Sequence, residues 1–128
     1  MNNLKLFREL SGIKTVQLSK LIVASSFTYL SYEKNKMIIP KDQAIMISLI
    51  YSIDVNELFV PEEEISNETI QKLKSYSAMT DEKRLEILTT NLVGKIDKPV
   101  TSRILWKIRE NINVELNKNK GLSQIDFL

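Results

Sequence analysis

Apolar residues recur every three or four positions along most of the chain, and this spacing predicts helices. The first such stretch holds Leu4, Phe7 and Leu10 and ends at Ser11-Gly12, where glycine can take the left-handed conformation that closes a helix. No stretch predicts a β-strand, and no internal repeat is present. The chain is therefore predicted to be all-α.

Residues 13–33 predict two short helices joined by a turn. The apolar residues have helical spacing in both halves: Leu18, Leu21 and Ile22, then Tyr29 and Tyr32. The turn falls at Val23-Ala24-Ser25, where the Ser25 hydroxyl can accept a backbone N–H of the second helix. Helices this short need neighbours that cover their apolar sides. The pattern is typical of a helix-turn-helix, whose second helix enters the major groove of DNA.

Further helices are predicted after Pro40, which suits the start of a helix. A fourth helix ends near Tyr51, and Asp54 is a suitable N-cap for a short fifth helix over residues 55–59. The acidic run 62–64 then marks a change of composition. Three C-terminal helices follow, at about residues 67–78, 80–96 and 99–117. We therefore divide the chain into an N-terminal domain, residues 1–60, and a helical C-terminal region, residues 61–128.

The composition argues against an enzyme. The chain contains no His and no Cys, which excludes ordinary zinc sites, imidazole acid–base catalysis and disulfides. With only three Gly, it has no phosphate-cradling loop. No apolar run approaches the roughly 20 residues of a membrane span, and no signal peptide opens the chain. We predict no catalytic activity, no metal, no cofactor, no membrane contact and a cytoplasmic location.

The basic residues are concentrated near the N-terminus. The formal net charge is only +2, but residues 1–41 carry seven basic and two acidic side chains, a net charge of +5. Residues 42–128 carry eleven basic and fourteen acidic side chains, a net charge of −3. This asymmetry indicates that the N-terminal part meets a polyanion.

Spaced positions in residues 13–59 carry a family likeness: Ile13, Leu18, Leu21, Ala24-Ser25, Thr28, Glu33, Pro40, Ile45, Ile53 and Glu57-Leu58-Phe59. Their spacing resembles that of the lambda-repressor/Cro class of DNA-binding domain, which reads L-x-x-x-x-L-x-x-L-x-x-V-S-x-x-x-I-S-x-x-E. The segment that ends at Phe59 is similar to that family's G-V-S-x-x-E-L-F. For residues 1–59 the resemblance implies a five-helix lambda-repressor-like domain that binds double-stranded DNA. About three C-terminal helices follow it.

The resemblance also assigns site residues. Base contacts fall to Ser26, Phe27 and Ser31 of the second helix of the motif, the recognition helix. Phosphate contacts are expected from Lys14, Thr15, Thr28, Lys34 and Lys36. In the family, an Arg of the first helix pairs with the Glu that ends the recognition helix, so Arg8 and Glu33 are expected to form a structural ion pair. The alternative is two exposed charges worth under about 1 kcal/mol.

Three positions depart from the family pattern. Val23 stands where the family has glycine, and because a β-branched residue resists positive φ, we expect the turn to be remodelled by a residue. Asn35 replaces another glycine, but asparagine tolerates the left-handed conformation. Thr15 replaces a glutamine that braces the DNA contact, and the recognition helix has no Arg, Asn or Gln for bidentate base contacts.

The C-terminal apolar stripes suggest a second copy of the chain. This class binds paired half-sites as a dimer, and we predict a homodimer. The predicted interface residues are Leu88, Leu92, Ile104, Trp106, Ile108 and Ile112. The equally open alternative is that these stripes close a helical bundle within one chain. A protein or small-molecule signal would also act on this region.

Two functions are compatible with these patterns. The first is a sequence-specific transcription regulator, as a repressor that occupies a two-fold operator. The second is a protein-interaction module, in which an apolar face with Phe27 and Leu30 binds another regulator. The missing bidentate residues favour the second function, and the charge of residues 1–41 favours the first.

Overall fold

A computed structural model describes residues 1–96, which form helices joined by turns and loops and contain no strand over that range. The α-helices are α1 (Leu4–Ser11), α2 (Thr15–Leu21), α3 (Ser26–Glu33), α4 (Lys41–Tyr51), α5 (Asn67–Ser77) and α6 (Asp81–Ile96). Two 3₁₀ turns, Val55–Leu58 and Glu62–Glu64, join α4 to α5. The predicted all-α class is confirmed for these residues. The helix predicted at 99–117, with Ile104, Trp106, Ile108 and Ile112, lies outside the described residues.

Local hydrogen bonds define where the helices begin. The Thr28 N–H donates to the Ser25 hydroxyl at 3.0 Å, and the Asn56 N–H donates to the Asp54 carboxylate at 2.8 Å. Both predicted N-caps are therefore confirmed. The short fifth helix expected at residues 55–59 is a 3₁₀ turn over Val55–Leu58. Over residues 1–96, no helix is both long enough and apolar enough to cross a bilayer.

Helices α2, α3 and α4 end in left-handed residues that are not glycine. These residues are Val23 with φ 58°, Asn35 with φ 60° and Ser52 with φ 60°. After α2, the Ala24 N–H donates to the Ser19 carbonyl at 2.9 Å and the Val23 N–H to the Lys20 carbonyl at 3.1 Å. This pair of bonds is the Schellman motif, and the same pair follows α3 and α4.

The prediction of a remodelled turn at Val23 was wrong. Val23 has the positive φ that we expected a β-branched residue to resist, although the left-handed region costs an L-residue about 1–2 kcal/mol. The two Schellman hydrogen bonds, together with the packing of the Val23 side chain against the core, offset that cost. The turn therefore stores backbone strain.

This strain should reverse the usual ranking of glycine and alanine. We expect Val23→Gly to be more stable than Val23→Ala by about 1 kcal/mol, because only glycine relieves the positive φ. Urea denaturation of the two variants measures the difference in the free energy of unfolding. The same pair of substitutions at Val60, which is half-buried and has no positive φ, serves as the control. At Val60 the alanine variant should be more stable than the glycine variant. If alanine were the more stable variant at both positions, Val23 would be unstrained.

One hydrophobic core joins all six α-helices of the described residues. Helix α5 packs on α1, and α6 packs on α4. Leu88 and Leu92 of α6 are fully buried in this core. Both residues were predicted to lie in a dimer interface. They are instead buried within the chain, because α4 covers the apolar stripe of α6 to which they belong. The predicted boundary after residue 60 does not separate two cores in residues 1–96.

Arg84 fastens the start of α6 to two other parts of the fold, and its side chain is 9% exposed. The guanidinium donates to the carbonyls of Tyr76, Ser77, Met79 and Gly12 at 2.8–3.4 Å and to the Asp81 carboxylate at 2.7 Å. Gly12 has φ 79°, and a Cβ on it would lie 3.2 Å from the guanidinium. Glycine at this position therefore serves both the left-handed conformation and the close approach of Arg84.

Candidate nucleic-acid interface

Helix α3 is fixed by its inner side. Tyr29 is fully buried and Tyr32 is 4% exposed, as their spacing predicted. Phe27, on the same helix, is 80% exposed. One side of α3 therefore belongs to the core, and another side exposes the large apolar side chain of Phe27 to solvent.

An ion pair holds the end of α3 against α1. Arg8 Nε lies 2.6 Å from Glu33 Oε2, and Arg8 Nη2 lies 3.1 Å from Glu33 Oε1. The side chains are only 19% and 4% exposed, so this is the expected structural pair and not two surface charges. The hydrogen bond to Glu33 raises the pKa of Arg8 above its usual value.

Two tyrosine hydroxyls are buried near this ion pair. Tyr29 and Tyr51 are both fully buried. Burial raises the pKa of both phenols, and the nearby Glu33 carboxylate adds to the rise. Both tyrosines therefore stay neutral at physiological pH, next to the Arg8–Glu33 ion pair.

The structure separates the three predicted base-contact residues. Phe27 is 80% exposed, but Ser31 is only 8% exposed and its hydroxyl donates to the Phe27 carbonyl at 3.0 Å. Ser26 is half-buried, and its hydroxyl oxygen lies 3.2 Å from that of Ser19. Ser31 thus presents little surface to a ligand, because a serine inside a helix can bond to its own backbone.

The predicted phosphate contacts lie in and around α2 and α3. Lys14, Lys34 and Lys36 are exposed, whereas Thr15 and Thr28 are half-buried. The Thr28 hydroxyl accepts a hydrogen bond from the Ser25 hydroxyl at 2.9 Å. The three lysines are therefore the accessible members of this set.

Lys14 also contacts α6, which the sequence did not predict. Its Nζ lies 3.4 Å from Asp81 Oδ2, and both side chains are more than half exposed. The hydrogen bond from Arg84 and the charge of Lys14 lower the pKa of Asp81. A phosphate group that approached Lys14 would compete with this carboxylate.

Sequence reasoning missed an apolar component of this surface. Val16, Met37 and Ile38 are 53%, 49% and 95% exposed, and they lie in α2 and in the loop after α3. The run Met37-Ile38-Ile39 was the available signal in the sequence, because it places three apolar residues in a row in a predicted connection. In the structure only Ile39 of this run is buried.

Comparisons with protein-family models, curated proteins and solved structures return no match. The function of the chain therefore has to be inferred from its own residues. Helices α2 and α3 and the residues that flank them carry both exposed lysines and exposed apolar groups.

A separate cleft of about 390 Å³ lies between α4 and α5, with Glu57 and Lys72 in its lining. The Lys72 ammonium donates to the Ser52 carbonyl at 2.7 Å. Glu57 accepts hydrogen bonds from the Thr69 hydroxyl and from the Ser66 N–H. Burial opposes the ionisation of Glu57, but these bonds outweigh it and lower the pKa of Glu57. Glu57 and Lys72 thus have partners within the protein, which favours a structural role for these two residues.

Proposed function

We propose that this chain is a transcription regulator that binds double-stranded DNA by laying α3 in the major groove. The observation that carries the proposal is the position of α3. Its inner tyrosines and the Arg8–Glu33 pair fix it to the core, while Phe27 projects from it into solvent. A helix held rigidly with one side outward is what a helix-turn-helix protein places in the major groove of DNA.

The order of the helices supports a relationship to the lambda-repressor/Cro class. Helices α1 to α4 and the 3₁₀ turn Val55–Leu58 follow the order expected of a five-helix domain. Val23 has the left-handed conformation of the glycine in that family's turn, and Asn35 has that of the glycine after the recognition helix. Helices α5 and α6 would be an addition that packs on α1 and α4.

Electrostatic attraction would supply much of the affinity. The net charge of residues 1–41 is +5, and Lys14, Lys34 and Lys36 are exposed. Each phosphate that a lysine neutralises releases counterions, so the logarithm of the affinity should fall with the logarithm of salt concentration by roughly 0.9 per phosphate.

We further propose that the protein acts in the cytoplasm as a repressor, by occupying a two-fold operator as a homodimer. Paired half-sites lie about 34–36 Å apart in this class. The second copy would have to be held by residues other than Leu88 and Leu92, since both are fully buried within one chain. A signal that releases the DNA would act on residues 61–128.

The proposal predicts that Lys34→Glu/Lys36→Glu lowers DNA affinity by about 100-fold at physiological salt, because two phosphate contacts become repulsive. Fluorescence anisotropy with a duplex selected by the full chain from random-sequence DNA measures the effect. The control is Lys74→Glu/Lys83→Glu, which makes the same charge change at exposed positions of α5 and α6. Circular dichroism checks that both variants fold. Equal losses in the two variants, or no binding by the wild-type chain at low salt, would contradict the proposal.

A second candidate function is a protein-interaction module. The exposed Val16, Phe27, Met37 and Ile38 favour it, because apolar groups gathered near one another in the chain suit a protein partner. A salt titration on random-sequence DNA separates the two candidates. DNA binding that weakens steeply with salt supports the regulator, and no binding even at low salt supports the interaction module.

A further inference from the structure

The polar side chains of α3 are engaged within the protein. The Ser31 hydroxyl donates to the Phe27 carbonyl, and the Ser26 hydroxyl lies within hydrogen-bond distance of Ser19. The Thr28 hydroxyl accepts from Ser25, the N-cap of the same helix. A hydroxyl that has already given its proton to the backbone cannot donate it to a base edge. This applies to Ser31, while Ser26 and Thr28 are half-buried, so the hydroxyls of α3 offer little surface for hydrogen-bond readout of bases.

Phe27 is the group that remains. It is the second residue of α3 and the most exposed large apolar side chain of that helix, at 80%. The Ser25 cap and the Ser31 hydroxyl both bond to this first turn, so the backbone that carries the ring is fixed. An aromatic ring has no hydrogen-bond donor or acceptor, so in the major groove it contributes to binding by packing against another apolar group.

The major groove offers one apolar group on its base edges, the C5-methyl group of thymine. A cytosine methylated at C5 presents the same group at the same position. Both sources differ from unmethylated cytosine and from uracil at that carbon. An apolar ring in the groove therefore distinguishes pyrimidines by their methyl group instead of by their hydrogen bonds.

We propose that Phe27 reads C5-methyl groups, so that the DNA bound by this protein carries a thymine or a 5-methylcytosine against the ring. This inference rests on the proposed function. It names the feature of the DNA that α3 selects, and it makes Phe27 the residue that determines specificity.

The experiment replaces thymines of the selected duplex by uracil, one symmetric pair at a time, because uracil differs from thymine only by the methyl group. At the pair that meets Phe27, the affinity of the full chain should fall about fourfold for each methyl group lost. A second arm places cytosine or 5-methylcytosine at the same pair. If methyl recognition does not depend on the base, the 5-methylcytosine duplex should bind about fourfold more tightly than the cytosine duplex for each methyl group. If affinity changes between thymine and uracil but not between 5-methylcytosine and cytosine, the methyl group that Phe27 contacts is that of thymine.

Phe27→Ala should lower affinity for the thymine duplex and abolish the difference between thymine and uracil. Phe59→Ala is the matched control, since Phe59 is 46% exposed and lies outside α3. It should leave that difference unchanged. A uracil effect that persists in Phe27→Ala would overturn the role of Phe27. DNA binding with no uracil effect at any position would overturn methyl recognition while the proposed function stands, and only the absence of DNA binding would remove both.

Discussion

Replacing Arg8 by methionine is expected to lower the free energy of unfolding by about 3–5 kcal/mol. The reason is the environment of its partner, since the Glu33 side chain is 4% exposed and accepts both hydrogen bonds from Arg8. Without Arg8, the carboxylate would be buried with no cation beside it. Urea denaturation followed by circular dichroism measures the loss.

Two variants make this test specific. Lys5→Met removes a positive charge from an exposed position on the same helix and should change stability by less than about 0.5 kcal/mol. Arg8→Met/Glu33→Met removes both charges and should recover most of the lost stability, because apolar replacement of a buried pair is often neutral. A loss in Arg8→Met no larger than that in Lys5→Met would mean that the pair is not buried as described.

Replacing Arg84 by methionine should lower the free energy of unfolding by about 3 kcal/mol. Arg84 donates to four backbone carbonyls and to Asp81, and its loss removes all five hydrogen bonds from a buried or partly buried site. The change also loosens the contact between the start of α6 and Gly12. Urea denaturation again gives the magnitude.

The control for Arg84 is its neighbour. Lys83→Met makes the same change of charge at an exposed position in the same turn of α6, and its effect should be under about 0.5 kcal/mol. Arg84→Lys keeps the charge but has fewer donors, so it should recover only part of the stability. If Arg84→Lys were as stable as the wild type, charge and not the carbonyl bonds would explain the role of Arg84.

Features that depend on neighbouring residues were predictable from the sequence. Gly12, Ser25 and Asp54 cap helices as expected, because a cap is decided by a few adjacent residues. The inward side of α3 was also predictable, since Tyr29 and Tyr32 follow the period of a helix. The Arg8–Glu33 pair was expected only through the family resemblance.

Features that depend on distant residues were not predictable. The contact of Arg84 with Gly12 had no sequence signal, because the two residues are 72 positions apart. Periodicity identified the apolar stripe with Leu88 and Leu92, but it could not say whether α4 or a second chain covers that stripe. At Val23, a local penalty of about 1–2 kcal/mol predicted a different turn, and the tertiary contacts outweighed it.

The candidate site was predicted in part. Phe27 and the three lysines are exposed where the sequence placed them, but Ser31 is turned into the helix and Val16 and Ile38 were overlooked. Exposure depends on what the rest of the chain leaves uncovered, and a periodic pattern does not contain that information for a loop such as residues 34–40.

The shared core makes the first sixty residues a poor stand-in for the whole chain. Leu73 and Tyr76 of α5, with Leu88 and Leu92 of α6, belong to the same cluster as Leu4 and Phe7. A fragment truncated after residue 60 would lose these four side chains and expose to water the faces of α1 and α4 that α5 and α6 now cover. Newly bared apolar surface of this kind promotes self-association. Truncation would thus promote aggregation, and an oligomer formed by such a fragment would reflect the loss of α5 and α6 and not the natural assembly of the chain.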